Sequence, residues 1–323
     1  MSYTTDPIIK KLNKPVLTRH DIPYPAALVF NAGVTKYNGK YIMMFRNDYG
    51  DFENRKLSGT NIGLATSDDG IVWDVECQPC FAWKDEEISR VYDPRITVLD
   101  GKIYICAAVD TKHGLRGGLF TTEDFHRYDL ISMTEPDNRN LVLFPEKING
   151  NFVRLDRPMP VYSRGRDRFD LWLSESPDLV YWGKSRLVMA VEDVPFANDK
   201  IGPAAPPVKT EKGWLTTFHA VELDKTRGKH GWEERWQKQY YGGIALLDSE
   251  DPSKVLGFSK KPLLVCEEDY EQQDGFRQDT IFPGGMILED NGEVKLYYGA
   301  SDTMECLATA HVDDLIKLCL ESK

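Results

Sequence analysis

A glycine-centred turn between two apolar or alternating runs recurs five times, at Asn38-Gly39, Asp100-Gly101, Asn149-Gly150, Lys212-Gly213 and Asn291-Gly292. The surrounding stretches are VTKYNGKYIMMF, ITVLDGKIYICAA, EKINGNFVRL, VKTEKGWLTTF and LEDNGEVKLYY, and such a turn between such flanks is the strongest short-range signal of a β-hairpin. Each hairpin is followed by a further apolar strand (IGLAT, GGLFT, DLWLS, GIALL, CLATA) running into an acidic turn (TSDDGIVW, TTEDFHRY, SESPDLVYW, DSEDPSKV, HVDDL). Each unit thus supplies about four strands, and five units predict an all-β chain folded as a five-bladed β-propeller. A β-sandwich is the rival all-β arrangement. The glycines are unevenly spaced, so the propeller should carry insertions.

A chain of 323 residues, 41% of them hydrophobic, can bury a large core, and residues 1–323 are read as one domain. The opening MSYTTDPIIKKLN has no signal-peptide core, and no apolar run approaches the roughly 20 residues of a membrane span. A cytoplasmic protein with no membrane partner is expected. The formal charge of -11 argues against nucleic acid as a partner. Of the six cysteines, three fall in predicted strands, as buried thiols would, and only Cys77 and Cys80 form a CxxC. With no second pair to complete a site, no metal is expected.

In a propeller the inner strands meet at a central pocket, so site residues should come from corresponding places in successive blades. Basic residues recur near predicted strand ends: Arg46, Arg95, Arg139, Arg157, Lys200 and His219. A net-acidic chain that collects cations in one pocket is suited to an anion. In Val91-Tyr92-Asp93-Pro94-Arg95, placed before the inner strand of the second blade, proline stiffens the backbone behind a carboxylate. The plainer reading makes Asp93 a turn cap and Arg95 a structural ion-pair partner. In the third blade Arg139 precedes one strand and Arg157 ends its hairpin partner, which should make their guanidiniums neighbours. Phosphate or sulfate would relieve their repulsion, unless Asp137, Asp156 or Glu146 neutralises them. Lys200, before GPAAPP, and His219 repeat that arrangement in the fourth blade.

Phe30-Asn31-Ala32-Gly33, Phe45-Arg46-Asn47-Asp48, Phe282-Pro283-Gly284-Gly285 and Gly299-Ala300-Ser301-Asp302-Thr303 add amides, an arginine, a carboxylate and aromatic faces, the materials of a sugar site. The insertion ELDKTRGKHGWEERWQKQYY, with Trp232, Trp236, Tyr240 and Tyr241, reads either as a lid or acceptor wall, or as packing and subunit contact. The C-terminal DDLIKLCLESK is a second candidate contact, so a homo-oligomer stays open.

These segments resemble glycoside hydrolase family 130, five-bladed propellers most of which are inverting β-mannoside phosphorylases. The matching pieces are FNAG at 30–33, FRND at 45–48, YDPR at 92–95, NRNLVLFPEKING at 138–150, LDRP at 155–158, KIGPAAPP at 200–207, GWLTTFHAV at 213–221, FPGG at 282–285 and YYGASDT at 297–303. They run in the family's order along nearly the whole chain. The resemblance implies that Asp93 is the general acid, protonating the glycosidic oxygen through the mannose 3-hydroxyl. It makes Arg139, Arg157, Lys200 and His219 the phosphate-binding set, and places Asn31, Arg46, Tyr92, Asp302 and Phe282 around the mannosyl ring. Inorganic phosphate is then a co-substrate, the partner a β-mannoside oligosaccharide, and no cofactor is implied.

An acid among cations has its pKa lowered, so burial or a hydrogen bond should offset them at Asp93. After LDRP the chain reads MPVYSRGRDRFDLW and lacks the Asn-Gly-His loop of the mannooligosaccharide enzymes. Linkage is therefore open among β-1,4, slightly ahead, β-1,2 and β-1,3. The rival functions are a β-mannosidase using water and a non-catalytic sugar-binding propeller.

Overall fold

In the third strand of the chain, Tyr41-Ile42-Met43-Met44-Phe45 is apolar throughout rather than alternating, because both faces of the strand are covered. Ile42 and Met44 pack towards one neighbouring sheet and Met43 and Phe45 towards the other. This is the period of two expected of a strand, read out into two separate cores. The same division holds all round the molecule, where five hydrophobic clusters fill the gaps between adjacent sheets.

The computed structural model describes residues 3–159, 169–227, 231–232, 236–273 and 275–321. A short strand β1 (Lys10–Lys11) precedes blade I, made of β2 (Leu28–Tyr37), β3 (Lys40–Asp51), β4 (Lys56–Ser67) and β5 (Asp74–Val75). Blade II holds β6 (Ile88–Leu99), β7 (Lys102–Thr111), β8 (Gly114–Thr122) and β9 (Asp129–Met133). Blade III holds β10 (Asn138–Leu143), β11 (Phe152–Pro158), β12 (Leu171–Ser176) and β13 (Gly183–Met189). Blade IV comprises β14 (Lys200–Pro203), β15 (Val208–Thr210), β16 (Gly213–Leu223), β17 (Lys238–Leu247) and β18 (Val255–Phe258). Blade V has β19 (Ile281–Leu288), β20 (Glu293–Ala300) and β21 (Met304–His311), and its outer strand is β1. The ring is therefore closed by antiparallel pairing of Lys10 with Thr309 and Lys11 with Ala308.

Three hairpins, at Asn38-Gly39, Asp100-Gly101 and Asn149-Gly150, have both turn residues at positive φ, the mirror-image turn that matches strand twist. The acidic turns also share a mechanism. Ser67 and Asp69, Thr122 and Asp124, and Ser176 and Asp178 each accept hydrogen bonds from the three backbone N–H groups that follow. Asp248 does the same in blade IV for Glu250 and Asp251.

The fifth unit departs from expectation. It supplies three strands rather than four, and its acidic stretch opens a helix, Val312–Glu321, instead of a turn. The cysteines differ too: only Cys106 and Cys306 lie in strands. They are buried, as are Cys266 in a connection and Cys319 in that helix, and all six thiols are free. No helix among the described residues is long and apolar enough to cross a membrane.

Candidate active site

In blades I to III the innermost strand carries the same defect at the same place. Asn31-Ala32 oppose Phe45 alone, Asp93-Pro94 oppose Ala107, and Asn140-Leu141 oppose Asp156, so β2, β6 and β10 each bulge by one residue. The first bulge residue is left-handed each time, with φ of 54° at Asn31, 55° at Asp93 and 60° at Asn140. Asparagine and aspartate tolerate that conformation, which costs most residues roughly 1–2 kcal/mol. The Tyr92-Asp93-Pro94-Arg95 segment is thus part of its inner strand and does not precede it. The bulges collect three Asx side chains at the mouth of the axis, in a cavity of about 570 Å³. Asn140, given no role in the sequence reading, is equivalent to Asn31 and Asp93, an equivalence that the strand register reveals.

Eight of the ten residues assigned from the sequence line this cavity: Asn31, Arg46, Tyr92, Asp93, Arg139, Arg157, Phe282 and Asp302. Asp93 accepts hydrogen bonds from Asn31 Nδ2 at 3.2 Å and Arg46 Nη1 at 3.4 Å. Arg46 is itself held by Asp48 through two bonds, at 3.0 and 2.6 Å, and packs over the rings of Phe30 and Tyr92. Asp302 accepts from Arg277 Nη1 at 3.2 Å. Burial pushes the Asp93 carboxyl up. Arg46, Arg95, Arg139 and the Asn31 amide outweigh it and leave Asp93 below the usual carboxylate range. The offset expected for an acid is therefore incomplete, because the surrounding guanidinium charges, with a smaller share from the Asn31 hydrogen bond, favour the carboxylate. Burial pushes Asp302 up against the pull of Arg277 and Arg46.

Arg95 does not enter the cavity. It spans the axis behind it, donating to Ala204 O at 2.7 Å, Asn31 O at 2.9 Å and Pro94 O at 2.7 Å, and so ties three blades together through carbonyls. Gly284 makes this junction possible, since a Cβ there would meet Ala32 O at 2.0 Å.

Arg139 and Arg157 sit directly opposite each other across β10 and β11. Asp156 is engaged by Arg154 and Glu146 by Lys209, and among the described residues neither Arg139 nor Arg157 has a carboxylate partner. Arg139 Nη1 donates to the Tyr92 hydroxyl at 3.2 Å, and that hydroxyl donates to Asp110 at 2.9 Å. The Nε of each arginine is buried without a partner among the described residues. Burial, and then Arg139, push the Arg157 guanidinium down to about 9.

Lys200 and His219 stand behind Arg157 and do not line the cavity. Lys200 pairs with Val221, and His219 faces Gly202, so the cross-strand arrangement of blade III is not repeated. Gly202 leaves the room this needs: a Cβ there would lie 2.6 Å from His219 Cε1 and 2.8 Å from Arg157 Cδ. His219 Nδ1 meets Pro203 O at 3.2 Å and its Nε2 meets Arg157 Nη1 at 3.2 Å. A carbonyl can only accept and a guanidinium only donate, so Nδ1 carries the proton and Nε2 receives Arg157. Burial, then Arg157 and Lys200, hold His219 well below its ordinary value, so it is neutral and orients Arg157 rather than adding charge. Burial, then Arg157 and Lys238, likewise depress Lys200, which lies 3.6 Å from Asp199.

From the insertion, Trp236 and Tyr240 line the cavity, stacked 5.7 Å apart, with Arg277 over Trp236 at 4.9 Å. Trp232 packs against Phe52 and Phe276 instead. Residues 228–230 and 233–235 of the insertion, and 160–168 after LDRP, lie outside the described residues. Among the described residues no cluster of three or more His, Cys, Asp or Glu side chains is arranged to hold a metal ion.

A family model described as beta-1,4-mannooligosaccharide phosphorylase, that of glycoside hydrolase family 130, matches residues 4–321. The chain is 31% identical to the beta-1,4-mannooligosaccharide phosphorylase of Ruminococcus albus, covering 94% of this chain and 88% of the relative. It is 32% identical to a beta-1,2-mannobiose phosphorylase of Thermoanaerobacter, covering 90% and 93%. The solved structure of beta-1,2-mannobiose phosphorylase from Listeria innocua with beta-1,2-mannobiose superposes with a TM-score of 0.82 at 25% identity, over 98% and 99% of the two chains.

Proposed function

The chain belongs to glycoside hydrolase family 130, and from that membership we propose that it cleaves β-mannosides with inorganic phosphate, with inversion, releasing α-D-mannose 1-phosphate and a shortened acceptor sugar. The observation that carries this reading is the Arg139 and Arg157 pair, opposed across two strands, lacking a carboxylate partner among the described residues, and sharing one cavity with Asp93. An inverting glycosidase that uses water needs an acid and a separate carboxylate base. The cavity residues contributed by blade III are Arg139, Asn140 and Arg157, with no carboxylate among them. Phosphate arrives already anionic and needs no base, so that face suits phosphate better than water.

In this reading Asp93 supplies the proton, passed through the mannose 3-hydroxyl to the glycosidic oxygen. Asn31, Arg46, Tyr92, Phe282 and Asp302 hold the mannosyl ring. Arg139 and Arg157 take the phosphate; behind them His219 fixes the guanidinium of Arg157, and Lys200 adds positive potential when it is protonated. Phosphate then attacks from the side of blade III, where the two arginines stand, while the acceptor departs on the other. The cavity volume is of the size that accommodates a small oligosaccharide.

For the linkage, β-1,4 is the first reading, following the description of the matching family model. β-1,2 is the second, following the Thermoanaerobacter relative and the Listeria structure. The test is release of mannose 1-phosphate from β-mannosyl disaccharides linked β-1,4, β-1,2 and β-1,3 to mannose, glucose and N-acetylglucosamine. Product that forms only with phosphate present is the expected result, and the best disaccharide names linkage and acceptor. Free mannose formed at the same rate without phosphate would make the protein a hydrolase and sink the proposal.

Trp236 gives an independent check on the acceptor wall. Its stacked, cavity-lining ring is expected to carry part of the sugar contact, so Trp236→Ala should raise KM for the oligosaccharide about tenfold. The KM for phosphate should not change. A parallel rise in both constants would mean that Trp236 only supports the fold.

A further inference from the structure

Glu305, in β21, is fully buried and the reaction above leaves it unused. Its Oε2 accepts from the Ala32 N–H at 3.1 Å, while Oε1 is buried without a partner among the described residues. The other polar atom of that same peptide, Asn31 O, accepts from Arg95 Nη1 at 2.9 Å. The Asn31-Ala32 peptide is thus gripped on both sides, by a guanidinium at its oxygen and a carboxyl at its nitrogen. The grip matters because Asn31 is the left-handed bulge residue whose Nδ2 donates to Asp93. A bulge without such fixation could rotate its peptide and carry the amide away from the acid.

A second observation concerns the proton. Asn31 Oδ1 is also buried and, among the described residues, lacks a donor. Glu305 is pushed up to about 8 by burial, so at neutral pH its Oε1 carries a hydrogen and is itself a donor without an acceptor. One unpaired acceptor and one unpaired donor therefore flank a single peptide. The two lie around one glycine: Gly299 pairs with Glu305 across the strands, and a Cβ on it would stand 2.8 Å from Asn31 Oδ1.

We propose that Glu305 is a positioning residue for the acid Asp93: it clamps the Asn31 bulge from behind and orients the Asn31 amide towards the carboxylate. This rests on the acid assignment of the preceding reading. The charged groups facing Glu305 are Arg95 and Asp93, both from β6. Its cross-strand neighbour in β20 is Gly299, and its backbone pairs with Leu17, neither of which bears a charge. When Glu305 loses its proton, the donor to Asn31 disappears and a second negative charge appears behind Asp93.

The test compares Glu305→Gln and Glu305→Leu in steady-state phosphorolysis across pH 5.5–9.5, with thermal melting of each. Glutamine reproduces the protonated carboxyl, accepting from Ala32 N–H and donating to Asn31. Glu305→Gln is expected within about threefold of the parent kcat at pH 6.5, and Glu305→Leu to lose about 10–100-fold. The KM for phosphate should be unchanged in both, because the arginine pair is on other blades. The parent should also lose kcat as pH passes through about 8, a loss that Glu305→Gln lacks. An unimpaired Glu305→Leu, a Glu305→Gln as slow as Glu305→Leu, or identical alkaline limbs in parent and Glu305→Gln would each overturn the proposal. If Glu305→Leu fails to fold, the comparison of alkaline limbs decides alone. Failure of the acid assignment is seen separately, as turnover retained by Asp93→Asn.

Discussion

Asp93→Asn is expected to lower phosphate-dependent release of mannose 1-phosphate by roughly 10²–10⁴-fold, the range for losing a positioned general acid. Asparagine tolerates the left-handed backbone at this position, so the bulge survives and the chain still folds. Because Asp93 is held below its ordinary value in the folded protein, its carboxylate adds stability above the unfolded pKa, which is lost as pH falls through the folded one. The variant should therefore melt slightly lower than the parent at pH 7, with the difference closing in acid. Catalysis needs the opposite protonation state from the one the guanidiniums around Asp93 favour. Arg46, Arg95 and Arg139 hold Asp93 ionised, and an anion bound at Arg139 would cancel part of that field. Phosphate should thus raise the pKa of Asp93, and the alkaline limb attributable to it should sit at higher pH when phosphate is saturating. Rate measurements over pH at low and high phosphate check this. Turnover retained in Asp93→Asn would remove the residue from its role, and a limb indifferent to phosphate would remove the coupling.

The blade count was legible because its signals are local. Asn-Gly and Asp-Gly turns impose their own conformation, and the acidic turns are closed by side chains two or three residues from the backbone they cap. What escaped was set by distant contact. β1 is two residues long, too short to carry a period, and it is a strand only because β21 offers it an edge. The inner-strand bulges appear in sequence as Asx residues within apolar runs, and their equivalence shows only after register is known. Glu305 looks like an ordinary charge inside MECLATA, since nothing in its neighbours announces that Ala32 will meet it. His219 was grouped with cations by residue type, yet burial against Arg157 makes it neutral. Arg95 illustrates the same limit, for the plainer reading gave it a carboxylate and the structure gives it three carbonyls. The pairing of Arg139 with Arg157 was the exception. A tight hairpin brings strand ends together whatever surrounds them.

Arg157→Leu is expected to stabilise the protein while abolishing its response to phosphate. The guanidinium is pushed down to about 9 in the folded state by burial and by Arg139, well below its ordinary value. A base depressed on folding disfavours the fold wherever it is protonated in both states, which here means fully below pH 9, with the penalty fading as pH rises towards its unfolded value. At about 1.4 kcal/mol for each unit, the penalty at pH 7 is on the order of 5 kcal/mol as an upper bound, because relaxation and water would reduce it. Removing the charge should raise Tm by roughly a few degrees, less whatever is lost by leaving His219 Nε2 without its donor. Phosphate should raise the Tm of the parent, since a ligand that binds only the folded state stabilises it by mass action, and should leave the variant unmoved. In catalysis the lost charge-assisted hydrogen bonds should raise the KM for phosphate by at least about 10–100-fold. A cradle of this kind is unfavourable until filled, so its instability when empty and its affinity for an anion have one cause. If Arg157→Leu melted below the parent, or its Tm still climbed with phosphate, the guanidinium would be structural and the anion would bind elsewhere.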